Sequence, residues 1–225
     1  MQFRTKEEQV ADFLREGIIA GRYPRGTRLK QQEIADLLKT SITPVREALK
    51  LLAAEGYVTG DSYRGAVVAP FDIEASNETL TLRVLLETQL VRGAVDRATA
   101  GDIAELRTMA AEFASAYAAG DNETARAANY RFHHRMFEIA AMPQTLHFVQ
   151  ILWARYPFDL INGLKGRVSR AADEHETMIA ALIAGDTAAA MLATREHVEA
   201  GWFELKQALA SRDVLPPVRS QIATD

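Results

Sequence analysis

Three of the five histidines stand where imidazoles can act together: His133, His175 and His197. Asn129 precedes His133 by four residues, so both side chains project from one helix face. His175 and His197 fall on two later helical segments. Three helices of one bundle can aim such side chains inward, a common way to build a metal site. Three imidazoles and an amide oxygen suit Zn²⁺ or a similar divalent ion, Ni²⁺, Mn²⁺ or Fe²⁺, with positions left for a ligand. The alternative is that each is a core polar group satisfied by its neighbours, the commoner fate of a lone buried histidine. His134 and His147 have no such companions and are expected at the surface. Arg83 sits in the apolar run Leu82-Arg83-Val84-Leu85-Leu86-Glu87. A guanidinium there suits bidentate recognition of a carboxylate; the alternative is a pair with Glu87 one turn on. Trp153, Tyr156 and Phe158 are candidates for a pocket wall, though core packing explains them equally.

A second constellation lies nearer the start. Residues 31–56 read QQEIADLLKTSITPVREALKLLAAEG, two short amphipathic helices joined by a polar turn, with Arg46 in the first turn of the second. That is the layout of a helix-turn-helix, whose second helix enters the DNA major groove by its N-terminal end. Thr43 is the expected N-cap, with Pro44 at the first helical position. Leu49, Leu52 and Ala53 are expected to face inward, and Gly56 to end the helix.

The elements that position these groups follow from punctuation and periodicity. Thr5 and Glu8 form a capping box opening a first helix, whose apolar stripe is Val10, Phe13, Leu14, Ile18 and Ile19. Gly21 stops it, and Tyr23-Pro24-Arg25-Gly26 is a turn. Residues 27–29 read as a short strand. Tyr57-Val58 and Ala66-Val67-Val68, around a polar turn, read as a hairpin. A hairpin after a helix-turn-helix is a wing, with Arg64 and Gly65 at its tip. Residues 1–70 then form one domain, 71–75 a linker, 76–210 a second domain and 211–225 a loose tail. The second domain shows six helical segments, 76–99, 102–119, 121–141, 143–163, 167–185 and 187–210, joined by short connections. The fold class is mainly α: a winged helix-turn-helix and an all-α six-helix antiparallel bundle.

Composition bounds the function. The 225 residues are 48% hydrophobic and 25% charged, ordinary globular material. With no cysteine, disulfides and thiolate metal sites are excluded. The opening MQFRTKEEQV has no apolar core of a secretory signal, and no run is long enough to span a bilayer. A cytoplasmic protein without a membrane partner is expected. The net charge of −4 is unevenly spread: residues 1–70 carry 11 Lys/Arg against 9 Asp/Glu, and the rest carry 15 against 21. The positive portion is the one with the helix-turn-helix, which suits a local DNA-binding face. Its small excess favours a dimer.

On these residues the chain resembles the GntR family of bacterial transcription regulators. The motif runs through Leu29, Ile34-Ala35, Leu38, Ser41, Thr43-Pro44-Val45-Arg46-Glu47-Ala48-Leu49, Leu52 and Glu55-Gly56. The helical part resembles the effector-binding FCD domain of the FadR-like branch, and its six helices resemble the VanR-like subgroup. The resemblance implies DNA contacts from Arg46, Thr43, Arg64 and Gly65, with Gln32 able to read adenine through its amide. Arg28 and Lys30 are candidates for phosphate contact. It also implies a metal held by an Asp-x-x-x-His and two later histidines 22 residues apart, matched here by Asn129, His133, His175 and His197. Arg83 matches the family's R-x-x-L-E. The chain departs from the family pattern at Lys39 and Thr40, where Gly and Val are usual, at Ile42, usually a DNA-contacting Arg, and at Asn129, usually Asp.

The expected function is a dimeric repressor that reads a pseudo-palindromic double-stranded operator and senses a small organic acid at its metal. No catalysis is expected. One competing reading is a metal-dependent hydrolase fused to a DNA-binding module; a clear general base near the histidines is missing from the sequence. Another is an architectural DNA protein without effector, against which the overall acidic charge counts.

Overall fold

A computed structural model describes residues 5–60, 65–71, 76–161, 164 and 167–210. The Arg64 wing tip, most of the linker (72–75) and the 211–225 tail lie outside the described residues.

The N-terminal domain begins with α1 (Lys6–Ile19). Thr5 caps it by accepting from the Glu8 amide while Glu8 accepts from the Thr5 amide. Gly21 leaves the helix at φ +79°. Then come β1 (Arg28–Leu29), α2 (Gln31–Leu37), α3 (Ile42–Glu55), β2 (Val58–Thr59) and β3 (Ala66–Val68). The strands form one antiparallel sheet of order β1-β3-β2, pairing Leu29 with Ala66 and Val58 with Val68. The stripe of α1 packs on α3 through Leu14, Leu49 and Leu52, all essentially solvent-free. Arg15 crosses this interface to Glu55, donating Nη2 at 2.8 Å and Nε at 3.1 Å. This is a winged helix, as the sequence indicates.

Three sequence expectations need correcting here. The cap of α3 is Ser41, not Thr43, which places Pro44 in the third helical position. The first four amides of a helix lack intrahelical acceptors, so a proline there costs no more than at the first position. Ala53 is exposed rather than buried. Lys39, in the turn between α2 and α3, takes φ +51°, the left-handed region where the family's usual glycine sits at ease.

The second domain contains α4 (Ser76–Val95), α5 (Ala100–Ala118), α6 (Asn122–Ile139), α7 (Pro143–Ala154), α8 (Phe158–Ile161), α9 (Arg167–Ala184) and α10 (Thr187–Ala210). The expected segment 143–163 is two helices, because Pro157 removes an amide donor and interrupts the ladder. Helix α5 starts earlier than expected: Thr99 and Asp102 form a capping box, and Gly101 lies inside the first turn. Helix α5 packs along α6 and α9, while α4 packs mainly on α10 and α7. Gly93 permits the close approach of α4 to the end of α6, since a Cβ there would stand 3.1 Å from the Ala140 Cβ. Among the described residues no helix is long and apolar enough to cross a membrane.

The two domains meet along α1 and α6. Arg131 bridges Glu16 of α1 and Glu112 of α5, each at 2.7 Å, Arg22 pairs with Glu123 at 2.7 Å, and Arg126 donates to the Ala20 carbonyl. Tyr57 donates its hydroxyl to the Gln150 carbonyl at 2.9 Å. Arg25 donates to two carbonyls, Ala69 at 3.1 Å and Tyr156 at 2.9 Å.

Candidate ligand cavity and DNA-reading face

Helix periodicity brings His133 from α6, His175 from α9 and His197 from α10 to one point in the bundle. Ligand-capable nitrogens of the three all lie within 4.8 Å of one another. His133 Nε2 and His175 Nε2 face each other at 3.2 Å. All three rings are buried, His175 completely, and Phe132 stacks on His175 with centroids 4.2 Å apart. Burial holds His133 and His175 well below the ordinary 6.5, and their mutual repulsion adds to it. His197 is lowered too, again by burial, with Glu174 opposing. The cluster is therefore neutral near pH 7, the state in which imidazole nitrogens coordinate cations. Buried His175 Nδ1 has no hydrogen-bond partner.

Two residues that the sequence reading missed complete the surroundings. Glu174 accepts or shares a proton with His197 Nδ1 at 2.6 Å, and Arg167 grips the same carboxylate at 2.8 Å. Arg167 also donates to the His197 carbonyl at 3.1 Å. In sequence Glu174 merely flanks His175 and projects in another direction. It meets His197 because α9 lies against α10, a pairing that periodicity within α9 does not reveal.

Beside the histidines is a cavity of about 350 Å³, open at one side, with Arg83, Asn129, Tyr156, Arg167 and His197 in its wall. Asn129 is 8% exposed and shares this wall with His197. Arg83 does both things weighed from the sequence. It pairs with Glu87 at 2.6 Å, a carboxylate that also accepts from the Trp153 indole at 2.8 Å, and it lines the cavity. Its guanidinium lies 4.0 Å from the Tyr156 ring centroid and 5.1 Å from that of Phe158, a cation–π arrangement. Tyr156 and Phe158 thus belong to the wall, and Trp153 to the core behind it. His147 is exposed as expected, but His134 is not a surface residue: it meets Gln150 at 2.9 Å and packs on Tyr130.

On the other domain, Thr43 is exposed in the first turn of α3, and half-buried Arg46 follows in the next. Gln32 is exposed on α2, its amide donating to Asp36 at 2.8 Å. Lys30 pairs with Glu33 at 2.7 Å. Gly65 has φ +110°, and a Cβ there would come within 2.8 Å of the Arg28 guanidinium, so the wing and Arg28 are adjacent.

Comparison with known proteins decides the identity of this architecture. Residues 6–68 match the profile described as "Bacterial regulatory proteins, gntR family", and residues 78–200 match the FCD domain. The chain belongs to the GntR family. Among curated GntR relatives, the Escherichia coli K12 regulator McbR is 28% identical over 184 residues, covering 79% of this chain and 82% of that one. The probable D-xylose utilization operon repressor of Paenarthrobacter nicotinovorans is 30% identical over 205 residues, covering 87% of each. The solved structure of E. coli McbR/YncC superposes with a TM-score of 0.79 at 25% identity, covering 92% of this chain and all of that one. This GntR protein is accordingly a DNA-binding transcriptional regulator of the FadR-like kind rather than an enzyme, and the histidine cavity lies in its FCD domain.

Proposed function

We propose that this regulator is a homodimeric repressor that reads a pseudo-palindromic operator and senses a small organic acid at a divalent metal in the helical domain. The observation that carries the reading is the convergence of His133, His175 and His197 beside Asn129 and Arg83 in one buried cavity. The residues fit a metal. Two nitrogens bound about 2.1 Å from one ion stand roughly 3.0–3.4 Å apart at ordinary coordination angles, and the two Nε2 atoms are 3.2 Å apart. His197 spends Nδ1 on Glu174, which leaves Nε2 for coordination, the arrangement by which a carboxylate orients a metal-bound histidine. Asn129 offers a carbonyl oxygen without charge. When bound, Zn²⁺ or Ni²⁺, Mn²⁺ or Fe²⁺ would supply a Lewis-acidic centre with a position open to a carboxylate.

Electrostatics favour an anion there. Arg83 is balanced by Glu87 and Arg167 by Glu174, while the imidazoles and Asn129 are neutral. A divalent ion therefore leaves the cavity with an uncompensated double positive charge. Helix α6 links the cavity to DNA: Asn129 and His133 stand on it, and Arg126 and Arg131 of the same helix hold α1. Exposed Leu82 and Leu85 on α4, and Leu192 and Phe203 on its neighbour α10, give a second copy an apolar face to cover. Relatives named as repressors support the sign of regulation.

The test is elemental mass spectrometry on chelator-free protein and a His175→Ala/His197→Ala double variant, with operator binding followed beside it. About one metal per wild-type chain, lost in the variant, and an operator affinity that a carboxylate changes are expected. A metal-free wild type, or an affinity that no acid alters, defeats the corresponding half of the reading.

A further inference from the structure

Tyr156 carries a group that its packing does not use. Its side chain is 3% exposed, and its buried hydroxyl has no hydrogen-bond partner among the described residues. Leaving such a group unsatisfied costs about 1–3 kcal/mol. The ring is fixed in place on all sides: Arg83 lies over its face, Phe158 meets it edge-on at 5.0 Å, and its backbone carbonyl is held by Arg25. It has no route to turn its oxygen toward solvent. A phenylalanine would make every one of these contacts. Burial pushes the phenol up, so it stays protonated and can both donate and accept. Tyr156 stands in the same cavity wall as Arg83, Asn129 and His197.

Resting on the acid-sensing reading above, we propose that Tyr156 is a specificity-determining residue and that the effector is a hydroxylated carboxylate. The carboxylate is drawn to the histidine centre and Arg83, and a hydroxyl elsewhere on the same molecule meets the Tyr156 oxygen. A hydroxyl satisfies the phenol in either hydrogen-bond direction. The corresponding deoxy acid leaves it buried and unpaired, and a site built to bond a hydroxyl discriminates strongly against the analogue lacking it.

The experiment is titration calorimetry of the full-length protein and Tyr156→Phe with matched acids: lactate and propionate, malate and succinate, gluconate and hexanoate. In the wild type the hydroxylated member of at least one pair should bind tenfold or more tightly. Tyr156→Phe should erase that preference by weakening the hydroxylated member, leaving the deoxy acid within about twofold. Deoxy acids binding as tightly to the wild type, or a preference that survives in Tyr156→Phe, overturn the proposal. The wild-type ratio stands whether or not the variant folds. Acids that bind, and are lost in Arg83→Ala, without any hydroxyl preference overturn this proposal alone. Failure of every acid to bind overturns it together with the acid-sensing reading.

Discussion

The Glu174 carboxylate stands 2.6 Å from His197 Nδ1. It fixes the ring's orientation and tautomer, and it brings to the site the negative charge that an aspartate at position 129 would otherwise supply. Arg167, on the first turn of the same helix, keeps it there. The first prediction follows. Glu174→Gln should lower metal affinity about 10- to 100-fold, read by competition with a chromophoric chelator, while melting of the metal-free protein changes little. Unchanged affinity would show that packing alone orients His197.

Acid should destabilise the metal-free protein. Burial holds His133, His175 and His197 below 6.5, so the folded chain stays neutral where the unfolded chain takes up protons. Stability from this source is intact above about pH 6.5–7 and falls as pH drops below it, by up to about 1.4 kcal/mol per pH unit for each imidazole. Urea midpoints between pH 7.5 and 5.5 should show the slope, and His175→Gln should flatten it. A level wild-type profile would mean that the rings are solvated.

Lys39 is the residue most plainly at odds with its backbone, at φ +51°. The left-handed conformation costs an ordinary residue about 1–2 kcal/mol, of which glycine's extra unfolded-state freedom returns about 0.4–1. Lys39→Gly should therefore stabilise the protein by about 0.5–1 kcal/mol, seen as a rise in melting temperature. A fall would show that the Lys39 side chain contributes more than its strain costs.

Arg46 should matter for DNA rather than for the effector. Arg46→Ala should weaken operator binding by about 1–3 kcal/mol, roughly ten- to a hundredfold, at fixed salt. Fluorescence anisotropy with operator and random duplexes separates the two kinds of contact. Equal losses on both mark a phosphate contact, and a loss confined to the operator marks a base contact.

Arg25 ties the effector wall to the DNA-binding domain through Tyr156 and Ala69. In Arg25→Ala the factor by which a bound acid shifts operator affinity should shrink by fivefold or more, within the usual 1–3 kcal/mol of allosteric coupling. A full response in the variant would route the signal through Arg126 and Arg131 instead.

Much of this was legible in the sequence because local rules decide it. Thr5 and Glu8 announce α1, the run to Gly56 gives α2 and α3, and helical spacing places Asn129 beside His133. What escaped depends on contacts between helices. Nothing within α9 tells that Glu174 meets α10, or that Arg167 turns back to hold it. The α3 cap was misplaced because Ser41 and Thr43 are both capable and Pro44 fits either choice. Pro157 divides what periodicity reads as one helix, and that break is what carries Tyr156 and Phe158 into the cavity wall.

The seam along α1 and α6 bears on how such regulators diversify. A DNA-binding module exchanged at residues 71–75 for that of another regulator would bring foreign side chains to Arg126, Arg131 and the Tyr156 carbonyl, whose present partners are the Ala20 carbonyl, Glu16 and Arg25. Chimaeras cut at the linker alone would fold as two working halves that no longer respond to one another. Retaining Glu16, Arg22, Arg25 and Tyr57 in the grafted module is the smallest graft that keeps the junction matched. Inheritance of this protein's operator specificity and of its inducer response is thus tied together by a handful of surface positions far from both DNA and ligand.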